Sequence, residues 1–249
     1  MNILILAAGP VQTDGLNEYS LCLSEVNGTT LIQYITDKCI DLKPTRVIFA
    51  FQRDDIKRFH LDDVASLLIP EAIILEVPGQ TQGAACTALL ALGFIENEEE
   101  LLILNCNEVL ETSFLTVVYD FRKIQNDAGV VFFDSVHPRY SYVRLDENKN
   151  VLEAAEKRPI SRNATAGFYW FKFGYYFIEG VKNMIRKDAS VNGLFYICPT
   201  LNELILAGRK IGAFSIENNA YYPLKTERQI EKMDSGFLSG RSYEEVKTR

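Results

Sequence analysis

Asn2-Ile3-Leu4-Ile5-Leu6-Ala7-Ala8-Gly9 opens the chain and decides its fold: an apolar run of strand length that closes on small residues and is followed by Pro10. A short run apolar on both faces and bounded by turn residues reads as a buried parallel strand. Small residues after it leave backbone free to approach a ligand, the opening of a nucleotide-binding α/β domain. The charges run the other way. No Lys or Arg precedes Lys38, and the stretch after the strand offers Asp14, Glu18 and Glu25 instead. Clustered phosphate oxygens repel one another, so a loop that holds them needs cations or a nest of backbone N–H groups.

Working outward, short β-rich apolar runs alternate with helical spacings, the mark of a βαβ sheet with mainly parallel strands. Strands are predicted at 2–7, 46–50, 73–77, 101–104 and 129–133. Between them, Thr29 to Asp41 places Leu31, Ile32, Ile35 and Cys39 at helical intervals after an Asn27-Gly28 turn. Gln82 to Phe94 predicts an Ala-rich helix buried on most sides, and Thr112 to Asn126 a third helix with Thr112 or Ser113 as its N-cap.

The period then changes. Tyr140–Leu145 and Val151–Ala155 flank the polar turn Asp146-Glu147-Asn148-Lys149-Asn150 and predict a hairpin. Ala166–Phe173 is a further strand, whose Phe168-Tyr169-Trp170-Phe171 run alternates faces as core rings do. Helices follow over 175–187 and 199–207, the latter with Pro199 at its first position, then a strand over 211–216 and a helix from about Thr226. The expectation is one α/β domain over 1–234 with an antiparallel insert, and a loosely held polar tail over 235–249.

At 249 residues and 47% apolar content the chain can bury a core without staples, and a net charge of −7 argues against nucleic-acid or anionic-membrane partners. Without a charged leader or a long apolar span, the expected location is cytoplasmic. Five cysteines without close paired spacing read as reduced, mostly buried thiols, and two histidines exclude a His-rich metal cluster. Glu96 to Glu100 reads as a solvated helix end.

Several segments together resemble the nucleotidyltransferases that join a nucleoside triphosphate to a sugar phosphate or similar small phosphate, often described loosely as family 2 glycosyltransferases. The likeness is strongest to those of capsule and surface-polysaccharide synthesis. The segments that carry it are Ile3–Gly9, Val26-Asn27-Gly28, Thr81–Ala91, His137–Asp146, Ala155–Ser161, Ala164–Tyr169 and Asn192–Pro199. They run in order over nearly the whole chain, and imply a Rossmann-like, GT-A-type mixed sheet, mainly parallel and flanked by helices, with an antiparallel elaboration.

The resemblance also implies site residues. Ala8, Gly9, Thr81, Gln82, Gly83 and Asn105 fall on the nucleotide side, with Thr81-Gln82-Gly83 at the base. His137, Arg139, Tyr140, Glu156, Lys157 and Gly167 fall on the acceptor side, and Lys157, Glu156 and Arg139 are the catalytic candidates. The bland alternatives are a surface Glu-Lys pair, an N-cap with a packing glycine, and a structural histidine.

Three departures set the question of activity. The family's Gly-x-Gly-x-Arg loop is here Gly9-Pro10-Val11-Gln12-Thr13-Asp14-Gly15, its Pro-Lys-Pro is Ser20-Leu21-Cys22, and its magnesium Asp gives way to Asn105-Cys106-Asn107-Glu108. Tyr222 to Gln229 likewise replaces the family's late Trp-Gly-x-Gly-Thr-Pro-Glu-Asp. An amide oxygen brings Mg²⁺ no charge, so the implied cofactor finds only Asn107 and Glu108 at its position. Three readings follow: a nucleotidyltransferase that binds nucleotide and a phosphorylated small molecule; a non-catalytic relative, a binding or scaffold subunit that works beside an active partner; and, last, a glycosyltransferase, which lacks the Asp-x-Asp pattern. The expected partners are these small molecules, with a homo-oligomer or a catalytic partner protein as the macromolecular ones.

Overall fold

A computed structural model describes residues 1–9, 19–26, 28–224 and 229. The chain begins with β1 (Asn2–Leu6), makes a 3₁₀ turn at Leu21–Leu23, and forms the small hairpin β2 (Glu25–Val26) and β3 (Thr29–Thr30). Helix α1 (Leu31–Ile40) leads to β4 (Arg46–Gln52), helices α2 (Arg53–Phe59) and α3 (Leu61–Leu68), and β5 (Ile73–Val77). Next come α4 (Ala84–Leu89), α5 (Leu92–Ile95), β6 (Leu101–Asn105), β7 (Glu108–Leu110), α6 (Phe114–Lys123) and β8 (Ala128–Asp134). The second half contains β9 (Ser141–Leu145), β10 (Val151–Glu156), β11 (Asn163–Phe171), α7 (Gly174–Arg186), α8 (Thr200–Leu206), β12 (Ile211–Ser215) and β13 (Tyr221–Pro223).

One nine-stranded mixed sheet organises the molecule. β1 lies at its centre, parallel to both β4 and β6, and β5 extends β4 in the same sense. The apolar opening run is explained by that position: Ile3 and Ile5 enter one core and Leu4 the other, all fully buried. β11 runs antiparallel between β6 and β8, and its Phe168-Tyr169-Trp170-Phe171 run divides between the two cores as predicted. The β9–β10 hairpin joins the early half of β11 through Ala164 and Tyr142.

Local chemistry accounts for most element ends. Thr30 and Ser113 cap α1 and α6 with their hydroxyls, accepting from the backbone N–H of Gln33 and Thr116. The Asp146 carboxylate closes the predicted hairpin by accepting from the Asn150 side-chain amide and from the backbone N–H groups of Asn150 and Asn148, and those bonds, the Asn150 amide first, hold it below the usual carboxylate range.

Other expectations need correcting. The single helix predicted over Gln82–Phe94 is two short ones, because the hydrogen bonds around Leu90 and Ala91 tighten to i→i−3. Pro199 caps α8 from outside instead of occupying its first turn, and β11 begins at Asn163, its register shifted by a bulge around Gly167. α2 and α3, split at His60 with a left-handed φ of 52°, had no sequence prediction. The predicted helix from Thr226 and the tail 235–249 lie outside the described residues, except for helical Gln229.

Sheet edges require cover, since unpaired strand groups invite other strands. Asn202 on α8 supplies it for β10: its Oδ1 accepts from Ala154 N–H at 2.8 Å and its Nδ2 donates to Ala154 O at 2.8 Å. Asn202→Ala should lower stability by roughly 1–3 kcal/mol in urea unfolding, the cost of leaving a buried peptide unpaired. A loss below a few tenths would show that water replaces the amide.

Candidate active site

Four parallel strands end on the same side of the sheet, and the predicted nucleotide residues follow those ends. Asn105 stands opposite Leu6 in register, so the end of β6 adjoins the Ala7-Ala8-Gly9 turn. Gln52, at the end of β4, donates its side-chain amide to Ala8 O at 2.8 Å and fixes that turn. Gly9 is exposed, and the loop 10–18, with Pro10, Thr13, Asp14 and Glu18, lies outside the described residues.

Thr81-Gln82-Gly83 follows β5 into α4. The Thr81 hydroxyl is bonded toward the helix that follows, 2.7 Å from the Thr87 hydroxyl and 3.1 Å from Gly83 O. Gln82 is exposed. Gly83 has φ 105° and ψ 171°, a region essentially confined to glycine, and a Cβ there would lie 2.4 Å from Phe195 O. Phe195 N–H donates to Gln82 O at 2.8 Å, and Ala85 N–H to Phe195 O at 3.0 Å. The Asn192–Pro199 segment is thereby seated on Gln82-Gly83 and the start of α4.

The acceptor candidates gather at the end of the β9–β10 hairpin. Glu156 is buried and accepts a hydrogen bond from the Ser141 hydroxyl across the hairpin. Lys157 is exposed, its backbone N–H bonds Tyr140 O at 3.0 Å, and its ammonium donates to the Tyr196 hydroxyl at 2.7 Å. Its φ of 53° is unusual for a side-chain-bearing residue and turns the chain so that Glu156 goes inward and Lys157 outward. Exposed Arg139 carries its guanidinium 5.4 Å from the Tyr140 ring. His137 is exposed and turned to local structure, its Nδ1 accepting from Arg139 N–H at 3.2 Å.

Gly167 joins the two sides. A Cβ at that position would lie 1.8 Å from Glu108 Oε2 and 2.9 Å from Asn105 Nδ2, so the bulge of β11 makes room for both side chains. Burial, with the Glu108 charge next in weight, pushes the Tyr221 phenol well above its usual range. Burial also raises Tyr140, where Arg139 lowers and Glu108 raises the phenol.

Magnesium fits this donor set poorly. The amides Asn105 and Asn107 bring no charge, and Glu108 Oε2 is buried against Gly167 instead of presented at the strand end. Among the described residues, no group of three His, Cys, Asp or Glu side chains is placed to hold a metal ion. Glu96, Glu99 and Glu100 are occupied by ion pairs with Lys182, Arg46 and Arg122. Leu21 packs against the apolar cluster of Val26, Leu31, Val109 and Leu224, and Cys22 is buried, so that segment serves the core. All five cysteines are free thiols.

A separate concavity of about 450 Å³ lies between α1 and α6, lined by Tyr34, Lys38, Asp41 and Glu111 among others. Its carboxylates outnumber its one cation, so it suits an anion poorly.

The candidates Glu156, Lys157, Gly83, Asn105 and Gly167 lie at strand ends or against one another's segments, and two residues that contact them, Gln52 and Tyr196, were not singled out from the sequence. Gln52 carried no signal. Tyr196 lay inside a matching segment, and its polar tip beside apolar Phe195 and Ile197 was the available clue.

This is the architecture of a nucleotidyltransferase. Residues 21–196 match the nucleotidyl transferase family, and the chain belongs to it. No curated protein matches the sequence significantly. Among solved structures, the chain is similar to a nucleoside-diphosphate-sugar pyrophosphorylase from Vibrio cholerae RC9, with TM-score 0.81 and 19% identity over 94% of this chain and 100% of that one. It is also similar to a UDP-glucose pyrophosphorylase complexed with UDP-glucose, with TM-score 0.76 and 15% identity over 96% and 98%. A third is the inositol-1-phosphate CTP transferase from T. maritima, with TM-score 0.71 and 13% identity over 93% and 94%. At these identities the likeness establishes the fold. No helix among the described residues is long and apolar enough to cross a membrane.

Proposed function

We propose that the chain binds a nucleotide across the ends of β1 and β6 and beside Gln82-Gly83, and a sugar phosphate or similar small phosphate at Glu156-Lys157, in capsule or surface-polysaccharide metabolism. In the reaction an acceptor phosphate oxygen attacks the α-phosphorus, the new P–O bond forms as the α–β bridge breaks, and pyrophosphate leaves. Lys157 would hold the acceptor phosphate, Arg139 would add charge from the neighbouring loop, and Glu156 would set the floor of the acceptor side. The observation that carries this reading is the exposed Lys157 ammonium, hydrogen-bonded to a neutral hydroxyl and so keeping its full charge for an anion.

A second reading, a non-catalytic binding or scaffold relative, draws on the amides at 105 and 107 and the core-directed Leu21. Transfer of this kind rests on electrostatic stabilisation, and each missing charged contact typically costs about a hundred- to a thousandfold in rate. Calorimetry with CTP, UTP, GTP and ATP, with and without Mg²⁺, then pyrophosphate release with a panel of sugar 1-phosphates, separates the two. Turnover rules out the scaffold; nucleotide binding without turnover on any acceptor supports it.

Asn107→Asp restores a carboxylate at the strand end. It should tighten Mg-nucleotide binding by about tenfold, the yield of one charge-assisted contact, and should not tighten metal-free binding, where the bare carboxylate repels the triphosphate. Equal affinities for both proteins would show that this strand end is not where the metal-nucleotide complex sits.

A further inference from the structure

An exposed lysine at a strand end samples many rotamers, and a cation meant for one phosphate needs something to hold its tip. We propose that Tyr196 is a positioning residue that holds the Lys157 ammonium on the acceptor side and fixes it relative to the backbone framing the nucleotide side. This rests on reading Lys157 as the phosphate-holding cation.

The contact is specific. Lys157 Nζ lies 2.7 Å from the Tyr196 hydroxyl and 4.8 Å from its ring centroid, so the ammonium meets the polar tip and not the ring face. An ammonium has three donors, and one bond to the phenol oxygen leaves two for an anion. Lys157 is held at its other end as well, by the backbone bond to Tyr140 O.

Tyr196 is itself anchored. The neighbouring Phe195 is hydrogen-bonded on both sides of Gly83, to Gln82 O and from Ala85 N–H, and Gly83 leaves no room for a side chain between them. On its other flank Ile197 is buried in the core, so the half-buried phenol has little freedom to leave the lysine. A continuous path of bonded groups therefore runs from Gln82-Gly83 through Phe195 and Tyr196 to Lys157.

Tyr196→Phe removes the hydroxyl and keeps the ring. The first measurement needs no ligand: trace acetylation with acetic anhydride, read by mass spectrometry as the rate at Lys157 relative to Lys172 in the same sample. The relative rate should rise by roughly threefold or more in Tyr196→Phe, as a tip freed from one hydrogen bond becomes more reactive. An unchanged ratio overturns the proposal.

The second is a double-mutant cycle with glucose 1-phosphate as probe and inorganic phosphate as control. Tyr196→Phe should weaken binding by about fivefold with Lys157 present and not at all in the Lys157→Ala background. An equal loss in both backgrounds makes Tyr196 merely structural and also overturns the proposal. If neither probe binds nor protects Lys157 from acetylation, the reading of Lys157 as a phosphate ligand falls and the acceptor role assigned to Tyr196 falls with it. The acetylation ratio identifies that case, because it reports the holding contact on its own.

Discussion

Gly83→Ala should lower stability by roughly 2–4 kcal/mol, and the melting temperature by roughly 5 to 15 °C, although position 83 is only partly buried. Two costs add. The backbone at φ 105°, ψ 171° is one that side-chain-bearing residues hardly adopt, and the new Cβ would lie 2.4 Å from Phe195 O and 2.8 Å from Phe195 N. Backbone atoms cannot rotate aside as a side chain can, so the Asn192–Pro199 segment must lift from the Thr81–Gly83 segment or Gly83 must shift. Either movement breaks the bonds from Phe195 to Gln82 and from Ala85 to Phe195.

Gly193→Ala provides the control, having a positive φ of 75° with no atom within 4 Å of the added carbon. It should cost only the conformational part, about 1 kcal/mol. Thermal unfolding of the two variants side by side is the test. Equal losses would mean that the close approach to Phe195 contributes nothing.

Lys157→Ala should reduce pyrophosphate release with the cognate acceptor by on the order of a hundred- to a thousandfold while leaving nucleotide binding nearly unchanged. The protein carries a net charge of −7, so an anionic acceptor needs a nearby cation to approach. Arg144 and Arg158 on the same hairpin both pair with Glu153, which draws down their field. Lys157 meets the neutral Tyr196 hydroxyl instead. Lys157→Arg should recover only part of the loss, because a planar fork cannot meet the Tyr196 oxygen and a phosphate in the same geometry. Titration of nucleotide alone, with turnover measured on the same preparations, checks both statements; a variant that lost nucleotide affinity but kept its rate on bound substrates would move Lys157 to the other half of the crevice.

The parts of the site that came from sequence are those whose chemistry is local. Glu156-Lys157 lies at a strand end that the hairpin pattern already located, and the polar Asp146 turn closes the hairpin that its composition predicted. Gly83 and Gly167 stood inside matching segments, but their reasons were invisible: one glycine accommodates Phe195 and the other Glu108, partners more than fifty residues away in the chain. Thr81 shows another limit: its hydroxyl was read with the nucleobase segment, and its bond to the Thr87 hydroxyl within the following helix had no signal in the sequence.

By itself the sequence determined the layered α/β plan, because strands buried on both faces and helices buried on one leave a periodic apolar record in any chain. Four of the five strands expected in the first half match to within a residue or so at each end, and α2 and α3 escaped because short charged helices leave little such record. Tertiary structure alone decided how the candidate acceptor side is built. The bulge that opens Gly167 to Glu108, the docking of Phe195 on Gly83 and the bond from Lys157 to Tyr196 all depend on which strands and loops meet, and meeting is a property of the packed sheet that no local pattern of residue types encodes.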